Sequence, residues 1–92
     1  MPGWRAIVTG RVQGVGFRAY VLDEANRLEL RGEVWNRTDG SVELVFAHES
    51  PERLESMVES LRRGPGRLDH VYFTRGGETV SFDGFRIGAT RP

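Results

Sequence analysis

The stretch Gly10-Arg11-Val12-Gln13-Gly14-Val15-Gly16-Phe17-Arg18 changes its periodicity halfway along. Upstream, over residues 4–12, Trp4, Ala6, Val8, Gly10 and Val12 alternate with Arg5, Ile7, Thr9 and Arg11, the period-two pattern of a half-buried strand. Downstream, apolar residues recur from Phe17 at Val21, Ala25 and Leu28, one stripe of an amphipathic helix. Gly14 and Gly16 therefore sit where a strand turns into a helix. Glycine at such a turn allows positive φ and brings backbone N–H groups close to a ligand. The first amides of the helix have no intrahelical partner and carry the positive end of its dipole, so an anion, and a phosphate above all, suits the position. Arg18 adds an always-charged fork able to grip two phosphate oxygens. A cation beside the positive dipole end is poorly placed by itself, which also favours an anionic partner. The spacing is neither G-x-G-x-x-G nor a Walker loop, and no lysine follows it.

Working outward, residues 31–36 and 41–48 read as two strands joined by a short loop ending in Asp39-Gly40, a strong hairpin signal. Val42, Leu44 and Phe46 share one face of the second. Ser50-Pro51-Glu52 opens another helix, with Ser50 as cap, Pro51 at the first position and Glu52 matched to the dipole. Leu54, Met57, Val58 and Leu61 form its buried stripe, and Gly64-Pro65 stops it. A fourth strand over 68–75 turns Val71 and Phe73 inward, Gly76-Gly77 begins a turn, and a short strand follows over about 85–89. The order βαββαβ plus one extra strand predicts an α+β, ferredoxin-like open sandwich: an antiparallel sheet with two helices on one face, and a short additional C-terminal strand.

The opening stretch resembles the signature of the acylphosphatase family, small enzymes that hydrolyse the carboxyl–phosphate bond of acyl phosphates. A second family signature has its counterpart in Gly32-Glu33-Val34-Trp35-Asn36-Arg37-Thr38-Asp39-Gly40-Ser41-Val42-Glu43. The likeness continues through Gly64-Pro65 to Phe82, Phe85 and Ile87, so one such domain is expected over 1–92. Taken alone, Asn36 reads as a turn residue ahead of Asp39-Gly40. Paired with the first motif, the resemblance makes Arg18 and Asn36 the catalytic positions and brings the first βα turn near the hairpin. It implies that backbone amides of Gly14, Val15, Gly16 and Phe17, with Arg18, hold the substrate phosphate while Asn36 orients the attacking water. The substrate would be a small acyl phosphate, and inorganic phosphate a product. Trp35 is a packing residue that could also border the acyl group, and Thr38 could steady Asn36. The chain departs from the family pattern at Gly16, at Arg37 where some members carry a small hydroxyl residue, and at Ala47-His48-Glu49, which lacks the usual glycine.

The 92 residues are enough for one domain. Thirteen basic residues, all arginine, balance thirteen acidic ones, so net charge recruits neither nucleic acid nor an anionic membrane. Without cysteine there is no disulfide or thiolate chemistry. No apolar run approaches a membrane span and no signal peptide is legible, so a cytoplasmic monomer is expected. His48 and His70 have no ligand-like spacing to carboxylates, and neither a metal nor a cofactor is expected. The rival class is an RNA-binding module, because Gly14-Val15-Gly16-Phe17-Arg18-Ala19-Tyr20 partly mimics an RNP1 motif. That motif belongs on a third strand with aromatics exposed, whereas here it follows the first. A further alternative is the same domain serving inside a larger carbamoyl-transfer assembly.

Overall fold

The computed structural model describes residues 1–92, the side chain of Thr79 excepted. Seven elements follow one another: β1 (Pro2–Arg11), α1 (Phe17–Arg27), β2 (Arg31–Asn36), β3 (Val42–Ala47), α2 (Pro51–Arg62), β4 (Arg67–Thr79) and β5 (Phe85–Ile87). They form one five-stranded sheet in the order β4-β1-β3-β2-β5, as the ferredoxin-like reading expects. The first four strands pair antiparallel. The extra strand β5 instead runs parallel to β2, with Gly32 opposite Phe85 and Val34 opposite Ile87.

Alternation sorts the two faces. Trp4, Ala6 and Val8 of β1 lie opposite Phe46, Leu44 and Val42 of β3, and Val34 of β2 lies opposite Leu44. All are buried in one core with Phe17, Val21 and Ala25 of α1 and Leu54, Met57, Val58 and Leu61 of α2. Burying this many large apolar side chains, at about 1.5–3 kcal/mol each, is the main force holding helices to sheet.

Two local expectations are revised. Gly76 and Gly77 do not begin a turn. They lie inside β4, where pairing steps from Arg5–Thr74 to Gly3–Glu78, so that two residues of β1 span four of β4. Because the start of β1 continues the ladder, the surplus residues are absorbed as a bulge and the strand runs on. Ser50 makes no side-chain cap on α2. Its backbone N–H donates to His48 Nδ1 at 2.9 Å, and its carbonyl accepts from Arg53 N–H at 3.2 Å. The strand over 31–36 forms as expected, but only because Gly32 adopts φ 147°. A Cβ there would sit on the Val45 carbonyl oxygen of the paired strand. Gly32→Ala therefore should destabilise by about 2–4 kcal/mol, read as a lowered midpoint in urea unfolding.

Candidate active site

Residues 12–16, between β1 and α1, curl through Gly14 at φ 74° and Gly16 at φ 81°. Neither glycine would meet another group within 4 Å if it carried a Cβ, so the backbone conformation is what calls for glycine there. Gly16 is the residue before the helix and offers no side-chain cap, and the first turn of α1 contains no acidic residue. The earliest helical amide to find an acceptor is Tyr20 N–H, which donates to the Gly16 carbonyl at 3.0 Å. The amides before it remain free to point at a ligand. Phe17, buried in the core, pins the helix start to the sheet.

This turn and the end of β2 share one cavity of about 190 Å³. Gly14, Gly16, Phe17 and Arg18 line it from the turn, and Asn36 lines it from the sheet. Val15 does not line the cavity; its side chain packs against the core instead. Asn36 shares the helix-side face of β2 with buried Val34, which aims it toward the start of α1. Its Oδ1 is buried and has no hydrogen-bond partner among the described residues. Such an acceptor costs about 1–3 kcal/mol unless something donates to it. Arg18 is half-buried and makes no ion pair among the described residues. The cavity is lined by no carboxylate, so Arg18 makes it positive.

Carboxylates gather on the other face of the sheet. Buried Glu43 pairs with Arg5 and with Arg37 (3.2 Å), and buried Glu33 with Arg91 (2.6 Å) and Arg86 (3.2 Å). Their charges are answered locally and kept away from the cavity. At the hairpin tip, hydrogen bonds from the Ser41 hydroxyl and then its backbone N–H hold the Asp39 carboxyl below its ordinary range. Arg5 does the same for Glu78. A larger groove of about 480 Å³ runs between α1 and α2, but Glu55 and Glu59 line it beside Arg27 and Arg63, so it lacks the uncompensated positive charge of the Arg18 cavity. Among the described residues, no group of three or more His, Cys, Asp or Glu comes together as a metal site.

Trp35 does not border the cavity. It lies on the opposite face from Asn36, buried beneath the Arg91 guanidinium at 4.1 Å from the ring centroid. Thr38 is exposed and meets its neighbours through its backbone, whose N–H donates to the Arg91 carbonyl at 3.0 Å. Asn36 is held instead through its own carbonyl, which accepts from Arg91 N–H at 2.9 Å. Three cavity residues escaped the sequence reading of the site, Val12, Ala19 and Ile87. Ile87 is 40% exposed, one of the few large apolar side chains on the surface. Its available signals were an apolar position in the short last strand and the family likeness that extends to it.

The acylphosphatase family model matches residues 4–87. An acylphosphatase from Paenarthrobacter aurescens is 48% identical over 84 residues, covering 89% of this chain and 88% of its own. The crystal structure of acylphosphatase from Bacillus subtilis superposes with a TM-score of 0.89 at 37% identity, covering 96% of this chain and 99% of that one. HypF of T. kodakarensis matches with a TM-score of 0.81 at 29% identity, covering 97% of this chain but only 12% of that longer protein.

Proposed function

The chain belongs to the acylphosphatase family, and from that premise we propose that it hydrolyses small acyl phosphates to a carboxylate and inorganic phosphate at the cavity shared by Arg18 and Asn36. The observation that carries this assignment of residues is the meeting of two different elements: a turn with free amides and an unpaired guanidinium, and a strand end whose Asn36 Oδ1 is buried without a partner. Backbone amides of Gly14, Gly16 and Phe17 together with Arg18 bind the phosphoryl oxygens and take up the charge they gain in the transition state. The Asn36 carboxamide hydrogen-bonds a water and orients its oxygen at phosphorus, in line with the bond to the acyl oxygen. A P–O bond to water forms as the P–O bond to the acyl oxygen breaks, and the carboxylate leaves with the electron pair. No carboxylate or histidine lines the cavity, so the water's proton passes to a phosphoryl oxygen of the substrate itself.

The neutral Asn36 suits an anionic substrate better than a carboxylate base would, since it orients water without repelling the phosphate. The same reading takes the protein as a cytoplasmic monomer that uses neither nucleic acid nor a membrane. No helix is long and apolar enough to cross a bilayer. The central strands of the open sheet face present Glu33 and Glu43 with their arginines, and the aromatic beside them, Trp35, is buried beneath Arg91 and not free to stack on a base as in an RNA-recognition sheet. The exposed large apolar side chains Met1, Tyr72 and Ile87 are spread over different elements and make no docking stripe.

Steady-state hydrolysis of a chromogenic aroyl phosphate, with inorganic phosphate as a competitive inhibitor, tests the assignment. Absence of turnover would overturn it. Ile87 and Ala19 give the cavity mouth an apolar side on which the acyl group rests. Ile87→Ala is accordingly expected to raise KM for an aroyl phosphate about 3–10-fold while changing KM for acetyl phosphate less than twofold. Equal effects on both substrates would remove Ile87 from acyl recognition.

A further inference from the structure

Gln13 stands one residue before the phosphate-binding turn, yet its side chain reaches away from it. Its Nε2 donates to the Arg37 carbonyl at 2.7 Å and to the Ser41 carbonyl at 2.9 Å. Those two residues close the β2–β3 hairpin, where Arg37 N–H also donates to the Ser41 carbonyl at 2.8 Å. A primary amide has two N–H hydrogens, and here two carbonyl oxygens receive them; the opposite amide orientation would set oxygen against oxygen. Arg37 directly follows Asn36, so this strap joins the backbone that carries the phosphate cradle to the backbone that carries the water-orienting amide.

We propose that Gln13 is a positioning residue for the hydrolysis, fixing the separation of the cradle and Asn36 so that the bound phosphoryl group and the oriented water meet in line. The inference rests on the reading of Asn36 as the water-orienting group. The cradle has anchors of its own, the buried Phe17 and the Tyr20 N–H bond to the Gly16 carbonyl. The strap therefore governs turnover and not phosphate affinity. The two carbonyls also accept the backbone N–H groups of Gly40 and Arg37, so the strap adds a second donor to each, and only a side chain of this length that donates twice can do so: Met has the length without the donors, and Glu has the shape but turns a charged acceptor on two acceptors.

The test is steady-state kinetics of Gln13→Met and Gln13→Glu on a chromogenic aroyl phosphate, with inhibition by inorganic phosphate measured alongside. Both variants are expected to lose about 10–100-fold in kcat, with the phosphate inhibition constant within about twofold of wild type. Combined with Asn36→Ala, Gln13→Met should cost almost nothing further, because it acts through a group already removed. Ser60→Ala breaks a hydrogen bond to Glu24 in the helix layer and serves as the stability control, with a lowered Tm and wild-type kcat. A wild-type kcat in Gln13→Met, costs that add to Asn36→Ala, or a phosphate affinity that falls in step with kcat would each overturn the inference. If Gln13→Met does not fold, Gln13→Glu decides: its protonated carboxyl loses the charge and regains one of the two donors in acid, so its kcat relative to wild type must rise in part as pH falls. A Gln13→Met variant at full activity beside an impaired Asn36→Ala overturns the strap alone. A wild type without acyl phosphatase activity removes the premise as well.

Discussion

Asn36→Ala is expected to lower kcat for acyl phosphate hydrolysis by about 10²–10³-fold while inorganic phosphate continues to bind within about twofold of wild type. The split follows from where the side chain sits. Asn36 belongs to the sheet, and the turn whose amides are proposed to hold the phosphoryl oxygens is a different element with its own anchors. Removing the carboxamide leaves the anion's partners in place and takes away only the group that orients water. The buried Oδ1 has no hydrogen-bond partner among the described residues, so truncation breaks no bond that supports the fold. The variant should accordingly keep its urea midpoint, and loss of activity cannot be charged to unfolding. Asn36→Asp sharpens the point: a carboxylate can still accept from water, but it adds a negative charge to a cavity built for an anion. It should weaken phosphate binding as well as turnover. An Asn36→Ala enzyme with wild-type kcat would refute the water-orienting role.

The local pattern made the layers legible because each strand and helix buries one face. Trp4, Ala6 and Val8, the stripe through Val21 and Ala25, and the hairpin at Asp39-Gly40 all sit as their spacing predicts. Pairing partners were less legible. Three residues of β5 cannot announce a direction, and its parallel pairing depends on which strand edge of the sheet lies open. Gly76-Gly77 looks like a turn in isolation and becomes a bulge because β1 extends far enough to keep pairing. The two motifs named Arg18 and Asn36, but what holds them in register is non-local: Gln13 reaches 24 residues ahead to the Arg37 carbonyl, and Arg91 returns from the far end of the chain to bond Asn36. Trp35 packs as expected, and the acyl-bordering role offered for it was the avoidable miss. Period-two alternation already puts it on the opposite face from Val34 and Asn36, and the structure finds it there beneath Arg91.

Arg18→Ala should lower kcat/KM by about 10³-fold, chiefly through KM, with a smaller fall in kcat. On the proposed reading the guanidinium contacts the phosphoryl group both before and during reaction, so part of its contribution is ground-state binding and the rest grows with charge on the equatorial oxygens. Its effect on the fold runs the other way. Arg18 sits in the first turn of α1, beside the positive dipole end, and no acidic residue of that turn compensates it. Without a bound anion it is a modest liability of a few tenths of a kcal/mol, so Arg18→Ala should unfold at the same Tm as wild type or slightly above. Phosphate then separates the two catalytic variants. Saturating phosphate stabilises any protein that binds it only when folded, by about 2.7 kcal/mol at a hundred times its Kd. Wild type and Asn36→Ala should show that rise in Tm, and Arg18→Ala should lose most of it. Arg18→Lys restores the charge without the planar fork, and should recover part of the phosphate-induced rise but little of kcat. If phosphate raises the Tm of Arg18→Ala as much as that of wild type, the anion is held by the backbone turn alone and Arg18 has no part in binding it.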